Sequence, residues 1–350
     1  MIEELSNANG VSGFEDDVVN LLRRYSEGLG TIKEDTLRNL YIYRNGNTGN
    51  RPVVLLDAHS DEVGFMVQAI RQNGTLQMIP LGSWVTSNIP AQKVQVRNSE
   101  GDYIPGIIGS KPPHYMSEQE RKLALELKQL TVDVGARTKQ EATEAFNIRV
   151  GEPIVPYAKF EYIEKHDLMM GKAFDNRIGC AGIISTLKRL EQEKLQVDIV
   201  AGIASQEEVG TRGAIVTTRV INPDVAIAFE GCPADDTFVD TYEVQTVIKK
   251  GPMLRHIDAK MITNPRYQRF ALDLAAKHDI KYQEAVRAMG STNSSFIHLS
   301  NEGVPTIVIG VPVRYAHTHY GISTYFDYAS SVELACEIIK ALDEDIIKSF

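Results

Sequence analysis

Apolar residues along this chain follow two alternating patterns. Four segments are continuous apolar runs of strand length: Arg51–Ala58, Val197–Ala204, Asp224–Phe229 and Pro305–Gly310. Such runs suit central strands of a sheet covered on both faces, where every side chain meets apolar neighbours. Other stretches carry apolar positions at i, i+3 and i+4. Ile178–Gln192, Arg266–His278 and Tyr325–Ile347 read in this way as amphipathic helices. Residues 1–30 also read as helix, with a break between Gly10 and Gly13 and the clearest spacing over Val18–Tyr25. Strands alternating with helices predict an α/β fold, a mostly parallel sheet flanked by helices on both faces.

Residues 66–167 depart from that rhythm. Short alternating runs such as Lys93–Arg97 are bounded by turn signals at Asn73-Gly74 and Gly101-Asp102. Ser117–Leu130 is the one good helical stretch there. The segment reads as a β-rich module inserted into an α/β domain made of residues 1–65 and 168–350.

Composition narrows the class. With 350 residues, 43% hydrophobic and 24% charged, the chain can bury a large core without disulfides. Cys180, Cys232 and Cys336 are widely spaced, form no CxxC pair and read as core residues. The net charge of −9 is spread along the chain, which argues against a nucleic-acid partner, since phosphate binding needs a clustered basic face. No apolar run reaches the ~18 residues of a membrane span. The opening MIEELSNANG lacks the basic and apolar regions of a secretory signal. These features predict a cytoplasmic protein with no membrane partner.

Five segments keep polar residues that a buried strand end would not ordinarily hold. In Asp57–Gly64, His59 and Asp61 stand two apart, on one side of an extended segment. There a carboxylate can fix the tautomer of a metal-bound imidazole. In Gly171–Gly179, Asp175 precedes a helix, either as its cap or as a ligand. Glu207 and Glu208 follow the strand at 197–204; one can ligate a metal while its neighbour handles protons. Glu230 follows the strand at 224–229, and His317 and His319 follow the strand at 305–310. Each segment alone can be a solvated loop. Together they bring histidines and carboxylates to the carboxyl edge of one sheet, where open α/β folds place their sites. A nitrogen and oxygen ligand set without thiolates suits a pair of divalent ions such as Zn²⁺, Co²⁺ or Mn²⁺.

At these residues the chain resembles the M42 family of metalloaminopeptidases, which includes glutamyl aminopeptidases and the tetrahedral TET aminopeptidases. AHSDEVGF, IPGIIGSKPPH, VDVGA, GKAFDNRIGC, SQEEVGTRGA and VPVRYAHTH carry the resemblance, in order and over nearly the whole chain. It implies that His59 and Glu230 bind one metal, that His317 and Glu208 bind the other, and that Asp175 bridges them. It further implies Glu207 as general base, Asp61 as the residue orienting His59, short peptides as substrates, and an inserted β-barrel-like dimerisation module whose dimers can build tetrahedral dodecamers. His319 matches no ligand position.

Two residues depart from the family pattern: Glu230 stands where Asp is usual, and Asn293 replaces a carboxylate expected on the substrate side. Another dinuclear-metal amidohydrolase, such as a deacylase or special dipeptidase, and a non-catalytic oligomeric scaffold are the alternative readings.

Overall fold

The computed structural model describes residues 1–350. Three strands open the chain: β1 (Gly30–Glu34), β2 (Leu40–Arg44) and β3 (Val53–His59). Six more follow, β4 (Gly64–Ile70), β5 (Leu76–Leu81), β6 (Lys93–Arg97), β7 (Tyr103–Gly109), β8 (Thr131–Asp133) and β9 (Pro153–Pro156). Then come β10 (Glu161–Ile163), β11 (Leu168–Gly171), β12 (Asp198–Ala204), β13 (Val225–Pro233), β14 (Met253–Ile257), β15 (Gln283–Val286), β16 (Thr306–Val313) and β17 (Gly321–Ser323). The helices are α1 (Ile2–Asn7), α2 (Asp16–Tyr25), α3 (Glu118–Lys122), α4 (Phe174–Arg189), α5 (Arg212–Ile221), α6 (Pro265–Lys277), α7 (Ser294–Ile297), α8 (Tyr325–Ala341) and α9 (Glu344–Lys348).

Eight strands form one mixed sheet in the order β1-β2-β12-β3-β13-β16-β14-β15. The four apolar runs are its central strands, β12, β3, β13 and β16, and these pair in parallel. Alternate residues of β3 face opposite cores. Val54, Leu56 and Ala58 belong to one apolar cluster with Ile183 of α4, Ala271 of α6 and Val332 of α8. Leu55 belongs to another, with Ile221 of α5 and Ile297 of α7. Both faces are therefore covered, which is why these strands read as unbroken apolar runs. No helix is long and apolar enough to cross a membrane.

Strands β4 to β9 close into a barrel, ordered β4-β5-β8-β7-β6-β9, around its own cluster of 15 buried residues, Phe65, Val94, Ile108 and Ile154 among them. The chain enters the barrel directly from the polar segment after β3.

Several elements differ from the sequence pattern. The helix expected over Ser117–Leu130 is one short turn, α3, capped by Ser117 and Glu120, followed by a 3-10 turn over Leu127–Gln129. None of its helical residues is buried, and a short helix without a packed face does not propagate. The helix expected over Tyr325–Ile347 is two, because Leu342 turns extended and the Asp343 carboxylate caps α9 by accepting the Ile346 amide at 2.8 Å. At the N-terminus the gap between α1 and α2 spans residues 8–15, wider than the two glycines suggest.

Candidate metal centre and active site

His59 is the last residue of β3, and its register partner Ala204 is the last of β12, so Glu207 and Glu208 emerge beside it. Glu230 lies within β13, opposite Gly310 of β16, and the strand runs on to Pro233 rather than ending at Phe229. His317 follows β16. Asp175 enters from the start of α4 with non-helical backbone angles (φ −82°, ψ 103°), and its peptide to Asn176 is cis. Gly231 allows that approach: a Cβ there would sit 2.8 Å from the Asp175 Cα and 2.6 Å from the Phe174 carbonyl oxygen. The Asn176 amide donates to the Phe229 carbonyl at 2.8 Å and fastens the segment to β13.

These elements bring all seven predicted residues together. His59 Nε2 lies 3.0 Å from Asp175 Oδ1, 3.5 Å from Glu230 Oε1 and 4.0 Å from Glu207 Oε2. His317 Nε2 lies 3.2 Å from Asp175 Oδ2 and 3.5 Å from Glu208 Oε2. Two triads result, His59–Asp175–Glu230 and Asp175–Glu208–His317, each with its ligand-type atoms within 4.8 Å of one another. Asp175 belongs to both.

The tautomers follow from the partners. His59 Nδ1 faces the carbonyl and carboxylate oxygens of Asp61, both at 3.2 Å, and His317 Nδ1 faces the Ser83 carbonyl at 2.9 Å. Those oxygens only accept, so each Nδ1 carries a proton and each Nε2 is the ring nitrogen left facing carboxylates. A positive charge is required between each Nε2 and its carboxylates, supplied by a proton or by a metal ion.

The charge balance points the same way. Asp61, Asp175, Glu207, Glu208 and Glu230 surround two imidazoles, and no Lys or Arg is ion-paired to any of the five. Glu208 Oε1 is buried with no hydrogen-bond partner. Burial opposes a charge on His59, but Asp175, Asp61 and Glu230 outweigh it and hold its pKa well above the usual histidine value. Burial likewise opposes the charge on His317, which Glu208 and Asp175 nevertheless push up to about 10. Burial and then Asp175 raise Glu230 to about 8. The site demands positive charge, and the residues present fit two divalent ions.

A cleft of about 750 Å³ opens onto the triads, and Asp175, Glu207, Glu208, Glu230 and His317 contribute to its wall. Lys260, Arg287 and Met289 also line it.

Asp61 was read as the partner of His59, but its further contacts and the residues Ser12, Glu62, Lys172 and Arg177 escaped the sequence reading. Asp61 takes the Glu207 amide at 2.9 Å, the Glu208 amide at 3.1 Å and the Ser12 hydroxyl at 2.6 Å, besides facing His59. Glu62 is buried between Lys172, at 2.5 Å, and Arg177, at 3.2 Å, and so ties the segment after His59 to the one carrying Asp175. Alternation of charged residues around a motif was the only available signal, and it does not distinguish a buried ion pair from a solvated turn.

His319 is buried 1% exposed against Trp84, ring centroids 5.4 Å apart, and neither ring nitrogen has a partner. Asn293 does not reach the substrate side. It is buried and donates to Asp57 Oδ1 at 3.3 Å, while its neighbours Ser291 and Thr292 line the cleft. A neutral amide relieves the repulsion that a second carboxylate would create against buried Asp57.

The sequence and the fold both have known counterparts. The model of the M42 glutamyl aminopeptidase family matches residues 38–334. A glutamyl aminopeptidase of Lactococcus lactis subsp. cremoris is 33% identical, with 98% of this chain and 96% of that protein covered. A lysyl aminopeptidase of Pyrococcus furiosus is 29% identical, covering 98% and 96%. The crystal structure of a TET aminopeptidase from the marine sediment archaeon Thaumarchaeota archaeon SCGC AB-539-E09 matches with a TM-score of 0.95 at 35% identity, over 99% of this chain and 98% of that one. Fold and relatives together define an aminopeptidase, a hydrolase of peptide bonds. Within that class, the chain belongs to the M42 family.

Proposed function

We propose that the protein removes N-terminal residues from short peptides with the help of two divalent metal ions of the zinc, cobalt or manganese type. One observation carries this reading: the two carboxylate oxygens of Asp175 meet the two free Nε2 atoms, of His59 at 3.0 Å and of His317 at 3.2 Å. His59, Asp175 and Glu230 hold one ion in this reading; Asp175, Glu208 and His317 hold the other. Bound there, the ions supply Lewis acidity that lowers the pKa of water and polarises a carbonyl.

Glu207 belongs to neither triad and lines the cleft. It takes the proton of the attacking water and returns it to the leaving amine. Burial, the largest influence on it, raises its pKa to about 7, close to the value a base needs near neutral pH. Asp61 keeps His59 in the Nδ1–H tautomer and holds the Glu207 and Glu208 amides. The cleft has the size of a small-ligand site, which supports peptides of a few residues.

Assembly is part of the proposal. Ile107, Tyr115, Leu123 and Val150 are exposed apolar residues on the barrel and its loops, which supports a role for this module in joining two copies. Such dimers can close into a larger symmetric particle. The cytoplasm is the compartment we assign.

The test is hydrolysis of an aminoacyl-p-nitroanilide panel and of free and N-acetylated tripeptides, before and after metal removal. Activity that needs metal and a free N-terminus is expected. Equal cleavage of the acetylated peptides would sink the aminopeptidase assignment.

A further inference from the structure

Glu15 is fully buried, forms no ion pair and belongs to none of the groups assigned above. Its Oε1 accepts the Gly13 amide at 2.8 Å and the Gln206 amide at 3.1 Å, while its buried Oε2 accepts nothing. A carboxyl taken out of water costs free energy unless its bonds repay it, so a fully buried one with two backbone partners calls for an explanation.

Gln206 supplies one. Its φ is +53°, in the left-handed region that a residue with a side chain occupies only when its surroundings hold it there. The next two amides are held as well, that of Glu207 by Asp61 Oδ1 and that of Glu208 by Asp61 Oδ2. Three consecutive amides therefore point at two buried carboxyl groups. Ser12, from the same N-terminal loop as Glu15, donates to Asp61 Oδ2 at 2.6 Å and joins the two.

We infer that Glu15 is a positioning residue for the reaction: its Oε1 pins the Gln206 amide and so fixes the turn from which Glu207 reaches the cleft. The inference rests on Glu207 acting as the base. Burial, and next the Asp61 charge, push Glu15 up to about 7, and in either protonation state its Oε1 can accept the two amides. Glutamine offers the same acceptor. A misplacement of about 1 Å at a reacting group costs on the order of 10²-fold, which sets the expected effect.

The experiment compares Glu15→Ala and Glu15→Gln in the full chain loaded with Zn²⁺ or Co²⁺, on one aminoacyl-p-nitroanilide. Amide hydrogen exchange of the peptide containing residues 206–208 is measured on the metal-free proteins. We expect Glu15→Ala to lower kcat roughly 10- to 100-fold with KM altered less than about threefold, and to speed exchange in that peptide. Glu15→Gln restores both. Wild-type kcat and exchange in Glu15→Ala, or a Glu15→Gln variant as defective as the alanine, overturns the inference. If the alanine variant does not fold, Glu15→Asp replaces it; its arm is one methylene too short, and the same loss of kcat is expected. Glu207→Gln assayed alongside separates the two ideas. Full turnover in that variant removes the base assignment, whereas its inactivity beside an unaffected Glu15→Ala overturns the positioning role.

Discussion

The Nδ1–H of His317 donates to the carbonyl of Ser83 at 2.9 Å. Ser83 lies just beyond β5 of the barrel, while His317 follows β16 of the central sheet. The barrel thus orients a residue of the candidate metal centre. Gly82 makes this possible, with φ +82° and no side chain: a Cβ there would lie 2.6 Å from Val63 Cγ1 and 3.1 Å from Glu208 Oε2. Gly82→Ala is therefore expected to weaken metal binding at the His317 side roughly 10- to 100-fold, the usual effect of disturbing a ligand's support. Calorimetric titration with Zn²⁺ checks it, and two undisturbed sites would contradict it.

Glu207→Gln keeps the shape of the side chain and removes its basicity. Turnover should fall about 10²- to 10⁴-fold while metal content stays at the wild-type level. Both quantities are measured on one sample, and near-normal turnover would remove Glu207 from the base role.

His59→Ala and His317→Ala should each weaken one metal site. They differ in their effect on stability, because the His59 side chain is 1% exposed and that of His317 is 35% exposed. The first leaves a buried gap beside uncompensated carboxylates, so its melting temperature should drop further. A chelator should abolish activity in the wild type yet leave it folded, since the 48-residue apolar cluster needs no metal. Circular dichroism with and without chelator decides this; loss of secondary structure on chelation would be the contrary result.

Glu62→Gln should be among the most destabilising single substitutions outside the apolar core. It leaves Lys172 and Arg177 buried without their common partner, at a cost of about 3–5 kcal/mol. Urea unfolding measures it. A change under about 1 kcal/mol would mean that the backbone carbonyls of Leu5, Ala8 and Gly10, which also accept from these two cations, suffice.

Tyr115→Asp combined with Leu123→Asp places two charges at exposed apolar positions of the insert, where both side chains are largely solvent-accessible. The double variant should sediment as a smaller species than the wild type, with its fold unchanged. Identical sedimentation would exclude these residues from any interface between copies.

What the sequence determined by itself was local or periodic. Four apolar runs gave away the central strands, because burial on both faces leaves no room for polar positions, and the motifs after them marked His59, Glu207, Glu208, Glu230 and His317 as candidates, with Asp175 from the motif at the start of α4. Tertiary structure alone decided how those residues face one another. That Asp175 stands between two imidazoles depends on Gly231 admitting the α4 segment against β13, a contact between remote parts of the chain. The same holds for Glu15 and Gln206, 191 positions apart, and for Asn293, which the motif comparison put on the substrate side and which packs against Asp57 instead. The helices misjudged at 117–130 and 325–347 failed for a related reason. Periodicity records which residues can share a face, but whether a helix persists depends on the surface that buries that face and on side chains that cap its ends.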